Sequence, residues 1–194
     1  MKKLTLLFAL LLMVSTVAMA QKRGKKRTRR TETTAVTINY TARGELGIFD
    51  LRGPVKTCVW KKAYETHTYA FDPNGMWIST DGEQPWNNYG SVKRDAQGRI
   101  ILMGEEVESG ESFTYNANGL VTKHTVIYMD GRDVTTYSYN SEGYCTKETF
   151  SYSGMDGTGK NSATWTILTR DEQGNWTKRK TQKGVIETRT ITYF

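Results

Sequence analysis

Helix-forming runs are what this sequence most clearly lacks. After residue 20 there is no long stretch rich in Ala, Leu, Glu and Lys, which excludes a helical bundle. Proline is scarce, with three residues against eighteen glycines, so the chain turns on glycine. Only two cysteines are present, too few for a disulfide-stapled scaffold. The two histidines, His67 and His124, are isolated, and neither cysteine belongs to a CxxC pair, so no metal site is expected. No nucleophile motif and no phosphate-binding loop occurs. The expectation is a protein without catalytic residues or a cofactor. An enzyme would need a cleft that sets His67 or His124 beside a carboxylate. The clustered carboxylates Glu105, Glu106 and Glu108 read as a solvated strand edge instead.

What is present suits strands. Hydrophobic residues are only 37%, yet eleven tyrosines, five tryptophans and six phenylalanines are available for a core. A chain of 194 residues is long enough for one domain with a real core.

The first twenty residues are a different material. Met1-Lys2-Lys3 is a basic start, Leu4 to Val17 is apolar apart from Thr5, Ser15 and Thr16, and Ala18-Met19-Ala20 has the form that signal peptidase accepts. Residues 1–20 therefore read as a signal peptide, cleaved before Gln21. The competing reading is a retained membrane anchor, which the seven basic residues after the apolar run would favour. No Cys sits at the cleavage point, which argues against a lipoprotein.

The formal net charge of +7 is concentrated in one place. Lys22, Arg23, Lys25, Lys26, Arg27, Arg29 and Arg30 lie within nine residues, and the rest of the chain is close to neutral. Residues 21–33 read as a disordered basic linker. By charge alone these seven residues are candidates for binding anionic surface polymer; specific nucleic-acid recognition is not expected.

Beyond a strand expected over Ala35–Tyr40, one unit repeats. Tyr115-Asn116-Ala117-Asn118-Gly119-Leu120-Val121 returns as Tyr139-Asn140-Ser141-Glu142-Gly143-Tyr144-Cys145 and as Arg170-Asp171-Glu172-Gln173-Gly174-Asn175-Trp176. Earlier copies centre on Gly53, Gly75 and Gly98, at steps of 21 to 24 residues, and one longer step contains residues 153–160. Asp or Asn opens a type I turn by accepting a main-chain hydrogen bond two residues on, and Gly supplies the positive φ of the bulge that follows. Apolar residues stand two after each Gly and, apart from Arg94, Arg170 and Gly47, four and six before it, with mainly Thr, Ser and Lys between them. That pattern predicts an antiparallel meander of about six hairpin repeats over residues 34–194, one face covered, in a curled sheet or barrel. Thr188–Phe194 reads as the first strand of a seventh unit. Strict alternation puts Cys58 and Cys145 on opposite faces, so they read as two separate small hydrophobes.

This unit resembles the YD repeat of the rearrangement-hotspot (Rhs) family over about residues 45–194. The resemblance implies curling β-sheet. Large members form shells around toxin domains or mediate surface contacts, and carbohydrate binding is attributed to some. Six units are too few for a closed shell and the chain ends on a strand, so a toxin-delivery role is not implied.

Where the repeats differ, Glu83-Gln84-Pro85-Trp86-Asn87-Asn88-Tyr89-Gly90 stands out. Trp86, Asn87, Asn88 and Tyr89 are candidate ligand-binding residues, two rings for stacking beside two amides. The plainer reading has Trp86 capping the core. The expectation is a non-enzymatic exported bacterial protein, periplasmic or at the cell surface, with a binding or structural role and no membrane span after signal cleavage. Its partner is a glycan or another envelope protein. The alternatives are a carbohydrate-binding module and a periplasmic carrier of an apolar ligand in a hollow concave sheet.

Overall fold

The computed structural model describes Ala42, residues 44–106 and residues 108–194. The signal segment, the basic residues from Lys22 to Arg30 and the strand expected over Ala35–Tyr40 lie outside the described residues. Among the described residues no helix is long and apolar enough to cross a membrane.

The chain is all-β. After a 3-10 turn at Leu46–Phe49 come β1 Val55–Lys61, β2 Thr66–Phe71, β3 Trp77–Thr80, β4 Val92–Arg94, β5 Ile100–Gly104 and β6 Gly110–Tyr115. They are followed by β7 Val121–Tyr128, β8 Gly131–Tyr139, β9 Cys145–Gly154, β10 Gly157–Arg170, β11 Trp176–Thr181 and β12 Ile186–Tyr193. All twelve join one sheet in the order β3-β2-β1-β12-β11-β10-β9-β8-β7-β6-β5-β4. The two free edges, β3 and β4, are consecutive in the chain. The topology is that of an up-and-down barrel left open along one seam.

Five of the six repeat motifs are hairpin turns with one hydrogen-bond pattern. In the turn at Gly119, Asn116 Oδ1 accepts from the main-chain N–H of Asn118 and Leu120, both at 3.0 Å, and Gly119 N–H donates to Asn116 O. Gly119 takes φ +75°, where a side chain would strain the backbone. The first motif differs. Residues 46–49 form the 3-10 turn in place of a strand, and Asp50 sits in the left-handed region at φ 52°. The last strand differs too: β12 opens no new unit, but fills the place between β11 and β1.

That freed first segment runs across the turn end of the curled sheet as a strap. Ala42 N–H donates to Asn118 O at 2.7 Å, Glu45 N–H to Gly75 O at 2.8 Å, and Arg52 Nη2 to Glu142 O at 2.9 Å. Asn175 holds the main chain of Arg52 from both sides, accepting its N–H at 2.6 Å and donating to its carbonyl at 3.0 Å.

The strap also shows that the sheet curls. Glu45, fully buried, accepts the N–H of Trp77 at the β3 edge at 2.7 Å. The same carboxylate accepts the N–H of Ile100 on β5 at 3.1 Å and pairs with Arg94 on β4. Strands at opposite ends of the sheet order therefore meet on one side chain. The buried core follows this curl in two clusters, one around Leu46, Leu51, Cys58 and Phe71 and one around Ile100, Met103, Phe113 and Val121; Ile48 and Trp77 pack against both. The outer face is polar, with hydroxyl pairs such as Thr57–Thr192 at 2.6 Å and Thr169–Thr177 at 2.8 Å. Glu105, Glu106 and Glu108 are exposed, but in the loop between β5 and β6 rather than on a strand edge.

Candidate functional site: the concave cavity

One local irregularity decides which side chains face inward. In each of the six units the pairing register slips at the third residue after the glycine. Phe113 pairs with His124, Thr114 with Lys123, but Tyr115 with Val121, so Thr122 is the extra residue. A bulge of this kind reverses the alternation beyond it. The inward positions are then two and five residues after the glycine. Position five holds Cys58, Thr80, Met103, His124, Glu148 and Arg179.

This corrects the expectation for the cysteines. The bulge at Lys56 returns Cys58 to the concave face, which Cys145 shares; both are buried free thiols. Burial pushes both thiols above their ordinary pKa, which makes them poor nucleophiles.

The concave face is not filled by its own side chains. A cavity of about 410 Å³ opens over it. Its floor is the strap, through Ile48, Phe49 and Asp50, and its wall includes Trp60, Tyr69, Phe113, Tyr137 and Tyr139. His124, Glu148 and Arg179 from position five also line it, joined by Glu111, Glu187 and Arg189.

The charged groups are organised by an alternating stack. The Arg179 guanidinium lies 3.6 Å from the Trp165 ring and 4.4 Å from Trp176, and Arg189 lies 3.6 Å from Trp176 and 4.1 Å from Trp60. Two buried cations are thus layered between three indoles, an arrangement worth about 2 kcal/mol per desolvated contact. Arg179 donates through Nε at 2.9 Å and Nη2 at 2.8 Å to Glu187 Oε2, which also accepts Trp60 Nε1 at 3.0 Å. Its remaining contact, Nη2 to Glu148 Oε1, is long at 3.4 Å. Arg189 spends its charge on main-chain oxygens, those of Phe49 at 2.5 Å and Asp50 at 3.2 Å. Burial lowers the Arg189 pKa to about 10.

Asp50 is buried against this stack. Its Oδ2 accepts Trp176 Nε1 at 3.1 Å and the N–H of Cys145 at 3.4 Å. Burial raises its pKa, against the pull of Arg189, Arg179 and Arg52. Asp50 and Arg189 line the cavity, but Asp50 Oδ1 and Arg189 Nε are closed off from it and keep no hydrogen-bond partner. Orphaned buried polar atoms of this kind cost about 1–3 kcal/mol each.

On the opposite wall Glu111 bridges two elements. His124 Nε2 stands 2.8 Å from its Oε2, and Tyr89 Oη donates to Oε1 at 2.5 Å. Burial pushes Glu111 upward, but these two hydrogen bonds outweigh it and its pKa lies below the usual carboxylate range. The imidazole stacks on Phe113 at 4.6 Å and 5°. A cleft histidine beside a carboxylate is therefore present. His67 also meets carboxylates, Asp81 at 2.8 Å and Glu65 at 3.2 Å, but away from the cavity wall.

The four loop candidates separate. Trp86 and Tyr89 are half-buried and pack against the cluster around Ile100, and Arg94 lies 5.7 Å from the Trp86 ring. Asn87 and Asn88 are exposed. Of the four, Tyr89 reaches the cavity wall, through Glu111. Tyr69, Phe113 and Tyr137 stand at apolar positions that the repeat spacing marks, but His124, Glu148 and Arg179 escaped the sequence reading because the bulge hides them from a period of two. One stretch did carry a clean signal: Glu187, Arg189, Ile191 and Tyr193 alternate without interruption, and the first two line the cavity.

No known protein family matches the chain, and comparison with curated proteins finds no match either. The cavity's chemistry must carry the functional reading.

Proposed function

We propose that this chain is an exported binding protein of the cell envelope that holds a small saccharide in the concavity of its curled sheet. The observation that carries this reading is the cavity lining, where the accessible side chains of Glu111, His124 and Glu148 stand beside the Tyr137 ring. A hydroxyl group both donates and accepts, so it can answer a carboxylate and an imidazole on the same wall. A ring face such as that of Tyr137 suits the apolar face of a sugar.

Further support comes from the sequence. Residues 1–20 have the form of a signal peptide, the repeat resembles the YD unit, and the basic residues from Lys22 to Arg30 suit contact with anionic surface polymer. An apolar ligand fits less well, because it would strip water from Glu148, His124 and Arg179 without replacing its hydrogen bonds.

Calorimetric titration of the mature chain with mono- and oligosaccharides tests this against a fatty-acid carrier. Binding of a saccharide weakened about tenfold or more by Tyr137→Ala supports the reading. Fatty-acid binding without any saccharide binding overturns it.

A further inference from the structure

A neighbouring hollow shares one wall residue with the cavity. A second hollow of about 300 Å³ is lined by Thr135, Phe150, Asn161, Gln182 and Val185, and Glu148 borders both spaces. Glu148 pairs across the sheet with Tyr137 on one side and Ala163 on the other. The short Ala163 side chain leaves room beside the carboxylate, and Phe150, 38% exposed, offers a ring face two residues further along β9. Glu148 thus stands at a waist between an inner chamber and an outer groove.

The ion pairs around this waist are uneven. Arg179 gives its two short contacts to Glu187 and only the 3.4 Å one to Glu148. Arg189 is committed to main-chain oxygens at the floor. Lys62 turns to Glu65 at 2.9 Å, and Lys183 is exposed at the outer rim. Opposite, Glu111 is a second acid, matched by a histidine rather than by a permanent cation. Glu148 therefore keeps one long cationic contact and has room for a second.

We infer that the bound ligand is an amino sugar whose ammonium group sits at the waist, paired with Glu148 and flanked by the faces of Tyr137 and Phe150. This rests on the saccharide reading above and sharpens its ligand class. An ammonium ion completes the half-used carboxylate, and ring faces on either side attract a cation. Burial, reinforced by the neighbouring Glu187 and opposed by Arg179, holds the Glu148 pKa above the usual carboxylate range, and an arriving cation reverses that penalty.

The test compares glucosamine and its short β-1,4 oligomers with N-acetylglucosamine, its oligomers and glucose, by calorimetry on the mature chain. The amine-bearing sugar is expected to bind about tenfold or more tightly than its acetylated counterpart, the worth of one charge-assisted hydrogen bond. Glu148→Gln is expected to bring that ratio to within about twofold, and Glu148→Asp, which keeps the carboxylate and guards against a folding artefact, to retain part of it. Equal or tighter binding of the acetylated sugar overturns the amine inference and leaves the saccharide reading standing. An unchanged ratio in Glu148→Gln overturns the assignment to Glu148. Failure of every sugar to bind overturns both.

Discussion

Glu45 and Trp77 meet across the open seam of the sheet, where the main-chain N–H of Trp77 donates to Glu45 Oε2 at 2.7 Å. The other carboxylate oxygen takes the N–H of Ile100 and the guanidinium of Arg94. One fully buried carboxylate thus does for the seam what a row of main-chain hydrogen bonds does between paired strands. Glu45→Ala leaves two main-chain donors and a cation without their acceptor. The expected loss is about 3–5 kcal/mol in urea unfolding, the range for breaking a buried charged network from one side. A loss below about 1 kcal/mol would show that the seam does not depend on the strap.

The strap lies close enough to the turns that one glycine is obligatory for space. A β-carbon at Gly47 would overlap the carbonyl oxygen of Gly119, and main chain cannot move aside cheaply. Gly47→Ala is expected to destabilise by about 2–3 kcal/mol, the penalty of overpacking. Gly90, with nothing near its missing β-carbon, is the matched control, and Gly90→Ala should stay within about 0.5 kcal/mol. Thermal melts of the two variants side by side check the contrast.

The Trp–Arg stack distinguishes guanidinium from simple charge. Arg189 meets two indole faces and two carbonyl oxygens at once, which a flat, forked group does and an ammonium does not. Arg189→Lys is expected to lower stability by about 1–3 kcal/mol although the charge is kept. A variant as stable as the wild type in chemical denaturation would mean that the stack is incidental.

His67 gives a pH signature. Hydrogen bonds to Asp81 and Glu65 raise its pKa, so protonation stabilises the folded state. That contribution is complete below the ordinary histidine value of about 6.5 and fades as pH rises through the raised folded value. The pair is largely exposed, so the effect is small. His67→Gln should melt about 1–2 °C below wild type at pH 5.5 and level with it at pH 9. A gap that widens with rising pH would contradict the assignment.

The turns were legible in the sequence because their chemistry is local. Asn116, Gly119 and their counterparts act through hydrogen bonds spanning four residues, and the spacing of the motif shows where strands reverse. The curl was legible as well, since a dozen strands with one apolar face must coil. Other features depend on distant chain and left no local mark. The motif around Gly53 has the same letters as the other five, yet Asp50 and Arg52 reach Trp176, Cys145, Glu142 and Asn175, about 90 or more residues away. The bulge after each turn reverses the alternation, so His124, Glu148 and Arg179 face the cavity where a strict period of two puts their neighbours. Chemical variety at that one position, Cys, Thr, Met, His, Glu and Arg in six units, was the available signal. Trp86 and Tyr89 stood out in the sequence by composition, and the structure sets both against the core.

The central claim is that ligand binds on the concave face, among Asp50, His124, Glu148, Arg179 and Arg189. Amide-resolved NMR titration of the mature chain with glucosamine oligomers tests it most directly. The account predicts saturable shifts confined to β7, β8, β9, β11, β12 and the strap around Asp50, with the outer-face threonines and the exposed Asn87 and Asn88 unmoved. Shifts centred on residues 86–89 or on the outer face, with the concave residues silent, would contradict it.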